Sequence, residues 1–107
     1  MSNAGLFNRR LTLETPVEIP DGAGGVARCH ETIATLWASV VPVSAREQSD
    51  AAQRGVTLTH RIVLRYSADI TSRHRFRDGA RIFRIASLRD QDGRKRFLDV
   101  QAEERSA

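Results

Sequence analysis

At 107 residues, 40% of them apolar, the chain is sized for one domain with a single modest core. One cysteine, Cys29, excludes an internal disulfide and every multi-cysteine metal pattern, and no stretch approaches the roughly 20 apolar residues of a membrane span. The formal charge is +4, with 16 of the 17 basic residues Arg, and residues 54–96 hold twelve of these bases against four acids while the flanks are net negative. That distribution fits either ordinary solvation or a face for nucleic acid or an acidic protein partner, because arginine's planar fork suits phosphates and carboxylates alike.

Residues 1–8 read as a flexible arm, with Leu6 and Phe7 as candidates to insert into a neighbouring subunit; they lack the apolar core of a signal peptide. From Arg9 the alternation of Leu11, Leu13, Thr15 and Val17 predicts a strand, stopped or edged at Pro16. Pro20 to Gly25 is a turn or loop whose glycines lack the Lys-Ser/Thr of a nucleotide-binding loop. Val26–Ile33 and Ala34–Val43 read as one bent strand or two short ones, with Trp37 a core or subunit-contact anchor.

Ser44 to Gly55 breaks the strand pattern. Ser44 and Glu47 have capping-box spacing, and Gly55 supplies a stop. Ser44, Arg46, Glu47, Gln48, Ser49, Asp50, Gln53 and Arg54 make the segment polar, so as a short helix or mobile loop it has little to bury on its own account. Val56 to Tyr66 follows with period-two alternation and is expected to be the longest strand. Ser67 to Ser72 turns with Ile70 dipping inward, and Arg73 to Leu88 reads as a hairpin on Asp78-Gly79. A second Asp-Gly turn at Asp90 to Arg94 leads into a final strand over Lys95 to Ala102. The pattern is all-β: a meander of five or six antiparallel strands, closing as a small barrel over residues 9–104 with 44–55 as an insert.

No catalytic constellation stands out. His30, His60 and His74 lack metal-ligand spacing, Cys29 and His30 are adjacent and so alternate in direction, and neither a cofactor nor a metal site is expected. The basic hairpin is the more suggestive feature: Arg73, Arg75 and Arg77 alternate on one strand, with Arg81, Arg84, Arg94 and Arg96 across from them. Such a row requires acids or phosphates opposite. A freestanding nucleic-acid-binding β-barrel is therefore one reading, although the paired aromatics of an RNA-recognition sheet are absent.

The order of the pieces carries a second reading. Leu36-Trp-Ala-Ser-Val-Val-Pro42, Ser44-Ala-Arg-Glu47, Thr59-His-Arg-Ile-Val-Leu-Arg-Tyr66, Ile70-Thr, Arg75-Phe-Arg-Asp-Gly-Ala-Arg-Ile-Phe-Arg-Ile85, the Asp90 to Arg94 turn and a closing strand with Glu103 together resemble the phage head-closure proteins. These are also called head-tail joining or stopper proteins, and gene transfer agents contain an equivalent. The resemblance implies a non-enzymatic β-barrel assembling as a ring, with six subunits favoured over twelve, at the head-tail junction of a particle built in the bacterial cytoplasm. It implies an adaptor or portal on one side, a tail terminator or tail tube protein on the other, and DNA passing the lumen without sequence recognition; no membrane is involved. By similarity, Ser44 to Gly55 corresponds to the channel gate. The chain departs from the family picture in carrying no bulky plug residue there. Trp37 and the arginines from Arg73 to Arg96 are the candidate docking surface, most of them expected to meet acidic partner surfaces.

Overall fold

The computed structural model describes residues 7–106, which form strands β1 (Arg9–Pro20) and β2 (Val26–Pro42), helix α1 (Ala45–Gln53), and strands β3 (His60–Arg65), β4 (Arg75–Asp78), β5 (Arg81–Asp90) and β6 (Phe97–Ser106). All neighbouring strands are antiparallel, and they close into a barrel in the order β1-β2-β3-β6-β5-β4. The expected all-β barrel with one short helix is what the chain forms. Leu6 lies outside the described residues.

Two local expectations change and two are sharpened. The chain is not a simple meander, because β3 pairs with β6 and the connection 66–74 crosses the barrel end, with Ile70 only 3% exposed. The longest strand is β2, with 17 residues, and β3 has six. Val56 to Leu58 is withheld from the sheet by the helix end: Gly55 adopts φ +76°, the Val56 amide donates to the Ala51 carbonyl, and Leu58 turns into the interior, whereas the Thr59 backbone already bonds to Val43 and Ala102. Pro16 does not stop β1, which runs on to Pro20; β4 pairs with β1 only at Thr12 to Glu14, so beyond that point no ladder on the far side needs the donor proline lacks. The bend expected in β2 is a bulge, since Leu13 faces Ala34 and Glu14 faces Thr32, leaving Ile33 as the extra residue.

Inward alternation builds the core from every strand. Leu11, Leu13, Ala38, Ile62, Leu64, Phe76, Phe83, Ile85, Leu98, Val100 and Ala102 fill it, and Ile70 caps one end. The strand directions define two ends. Helix α1, the Gly79 turn and the close of β6 lie at the helix end; loops 66–74 and 91–96 lie at the other, together with the far half of the β1–β2 hairpin. That far half projects as a two-stranded ribbon, and every residue from Val26 to Ile33 is exposed. The protomer is correspondingly elongated, 53 × 31 × 26 Å.

Candidate functional site

Helix α1 stands on the sequence features that announced it. The Glu47 amide donates to Ser44 Oγ at 3.1 Å, and the Ser44 amide donates to Glu47 Oε1 at 3.3 Å, a complete capping box. Only Ala51 is buried. Ser44, Arg46, Glu47, Gln48, Ser49, Asp50, Gln53 and Arg54 are all exposed, so the segment is an ordered polar helix set on the barrel's end by one small side chain.

The arginine row does not form one free basic face. Arg75 Nε donates to Glu14 Oε1 at 2.7 Å and Arg77 Nε to Glu14 Oε2 at 3.1 Å, across the β1–β4 seam. Burial works against Glu14's charge, but the two guanidiniums outweigh it and hold the carboxyl below its usual range. Arg81 grips Glu104 through two hydrogen bonds, 2.8 and 3.1 Å, Arg84 meets Glu103 at 3.4 Å, and Arg96 pairs with Asp92. Five of the seven candidate docking arginines thus hold carboxylates of their own chain, three of them on β1 or β6. Arg73 and Arg94 pair with no carboxylate among the described residues; Arg73 borders a cleft with Pro16, Glu18 and Arg28 at the ribbon's root, and Arg94 lies on the 91–96 loop.

A further pair escaped the sequence reading. Asp99, 4% exposed, accepts from Arg61 Nε at 2.8 Å and Nη2 at 2.6 Å, and from Arg89 at 3.3 Å. Desolvation opposes its charge, yet the arginines keep its carboxyl low. At the helix end His60 packs edge-on against Phe83, centroids 5.3 Å apart, and lies 3.7 Å from Glu104. Burial pushes its imidazole below the ordinary histidine value, against the pull of Glu104, and nearby Arg81 adds to the lowering. Both contacts lie within the protomer.

Trp37 is 56% exposed on the outer face of β2, with the Arg10 guanidinium 5.9 Å from its ring centroid. Phe7, Thr35, Leu36, Leu64 and Arg65 line a surface cleft with it, and Phe7 also packs edge-on against Phe97 at 5.6 Å. The ribbon was not singled out from sequence as a surface at all. Its signal was the continuation of β-branched and apolar residues past Pro16, Val17, Ile19 and Val26 among them, which alternation alone reads as core. Among the described residues no group of three or more His, Cys, Asp or Glu is placed to hold a metal ion.

Comparison with known proteins matches residues 2–105 to the phage head completion protein family. A chain of the virion of a native gene transfer agent particle is 32% identical, with 94% of this chain and 96% of that one covered and a TM-score of 0.63. The solution structure of protein SF1141 from Shigella flexneri 2a is 29% identical over 96% of both chains, with a TM-score of 0.76. No curated protein matches the chain.

Proposed function

Because the chain belongs to the phage head completion protein family, a structural head-closure family at the head-tail junction of phage and phage-like particles, we propose that it forms a ring between the portal or adaptor and the tail. The ring closes the DNA channel after packaging and offers the tail terminator or tail tube its docking face. Six subunits are favoured over twelve. DNA passes the lumen without sequence recognition, and assembly takes place in the bacterial cytoplasm.

The observation that carries the gate is α1, an exposed polar helix inserted at one end of a closed barrel and buried through Ala51 alone. Such an element shifts at little cost to the core, because almost no apolar area holds it down. The competing nucleic-acid-binding reading rested on the arginine row, and the carboxylates of Glu14, Glu103, Glu104 and Asp92 take up most of that charge within the protomer.

Particles assembled without the protein should yield heads that lack tails and lose their packaged DNA; tailed particles would overturn the connector role. Deleting residues 46–53 should leave the thermal unfolding of the barrel nearly unchanged while packaged heads leak DNA. Full retention would remove the gate from the proposal and leave the connector.

A further inference from the structure

The chain exposes five large hydrophobic side chains among its described residues, Ile19 (46%), Val26 (58%), Ile33 (48%), Trp37 (56%) and Val41 (46%), and all five lie on the β1–β2 hairpin. They fall on two separate surfaces. One is the projecting ribbon, roughly 23 Å long at about 3.3 Å per residue, where Val17 and Ile19 pair with Cys29 and Ala27 on a single face. The other is the outer barrel face around Trp37 and Val41, bordered by Val63 of β3.

Their charges are opposite. The ribbon carries Glu18, Asp21 and Glu31 against Arg28 alone, whereas Arg10 and Arg65 flank Trp37 with no carboxylate partner among the described residues. The ribbon's two edges also differ. On β1 the free edge holds Pro16 and Pro20, the usual guard against strand addition. On β2, β3 pairs only from Ala38 onward, and Val26 to Leu36 contains no proline and has no pairing strand on that side among the described residues. The ribbon extends past the last pairing of β3 and β4, away from its own Trp37 face, so one protomer cannot bring the two surfaces together.

We infer that the β1–β2 ribbon of one copy seats on the Trp37 face of the next copy through the side that carries Val17, Ile19, Cys29 and Glu31, Glu31 meeting Arg10 and Arg65, and that this is the repeated contact that builds the ring. The inference rests on the ring reading of the function and names its interface. The contact is heterologous, so it generates a closed ring or an open chain rather than a two-fold dimer.

The single tryptophan and the single cysteine lie one on each surface, so each reports on one side of the contact. Thr35→Cys in the full chain, treated with a short bis-maleimide, should give a ladder of dimers, trimers and higher species through Cys29 of one copy and the new cysteine of the next. The wild type, and T35C combined with Cys29→Ser, should give none. Trp37 emission should shift to shorter wavelength as wild-type concentration rises, and Arg65→Glu should move that transition at least tenfold higher in concentration, with Glu31→Arg recovering most of the loss. Absence of the ladder overturns the contact, as does a wild-type Cys29–Cys29 dimer as the sole product, which would place ribbon on ribbon. A Trp37 shift in the monomer on removing residues 1–6 also overturns it, by assigning the patch to the chain's own start. None of these results bears on tail-less heads, so failure here leaves the connector role standing.

Discussion

Arg61 and Asp99 meet diagonally across the β3–β6 seam: Arg61 faces Gln101 in register and Asp99 faces Val63, yet the guanidinium reaches back two residues to form both hydrogen bonds. The pair is asymmetric, because the aspartate side chain is 4% exposed and the arginine 41%. Arg61→Ala therefore strands a buried carboxylate with only Arg89, itself 73% exposed, and should cost about 2–3 kcal/mol in urea unfolding. Arg89→Ala should change stability by no more than about 0.5 kcal/mol.

Acid should destabilise the fold in two stages. The folded-state value of His60 is lowered, so its contribution is complete above the unfolded value near 6.5 and declines as pH falls below it, when the unfolded imidazole binds its proton first. Glu14 and Asp99 are also lowered; their contribution is present above the unfolded carboxylate values, about 4, and is lost as pH drops through the folded ones. His60→Gln should flatten the upper stage in a series of thermal melts and leave the lower one. The exposed His30, whose value falls in the same direction through burial and Arg75, keeps the flattening incomplete.

Neutralising Glu14 should uncover charge that the native protomer conceals. Glu14→Gln releases Arg75 and Arg77, so binding to duplex DNA at low salt should strengthen and its log-log salt dependence should steepen by about two units. An unchanged salt slope would mean that other acids take over the two arginines.

The cap on α1 should be separable from the barrel. Ser44→Ala removes the acceptor for the Glu47 amide and should destabilise the helix by about 1 kcal/mol. Faster amide exchange confined to residues 47–53, with the barrel's denaturant midpoint unchanged, is the expected outcome. Phe76→Ala is the opposite case: a fully buried ring beside the β1–β4 seam, its loss should cost about 3–5 kcal/mol and shift the midpoint of the whole transition.

What the sequence disclosed was local. Ser44 with Glu47, Gly55, and the Asp78-Gly79 turn each act within a few residues, so the helix and the β4–β5 hairpin were readable. Pairing of β3 with β6 joins residues such as His60 and Ala102 far apart in the chain, and nothing near either announces it. For the same reason the arginine row looked unpartnered, since Glu14 and Glu104 reach it only once the barrel closes. Val56 to Leu58 alternates like a strand, but the turn at Gly55 claims the start of that stretch first, through the Val56 amide. Ribbon residues such as Ile19 alternate as core residues do; only the end of β4 pairing at Glu14 shows that no core lies behind them.

The barrel's last seam is also its shortest. β1 and β4 share three residue pairs, Thr12 with Arg77, Leu13 with Phe76 and Glu14 with Arg75, and the two strands lie more than half the chain apart. During translation the β1–β2 hairpin leaves the ribosome well before its closing partner does. Its inward face, Leu11 and Leu13 included, then waits beside the same apolar ribbon that stays exposed in the finished protomer. Glu14, which bridges Arg75 and Arg77 at that seam, acts as a latch: it rewards closure with the right strand and leaves a buried carboxylate without its arginines if another chain takes that place.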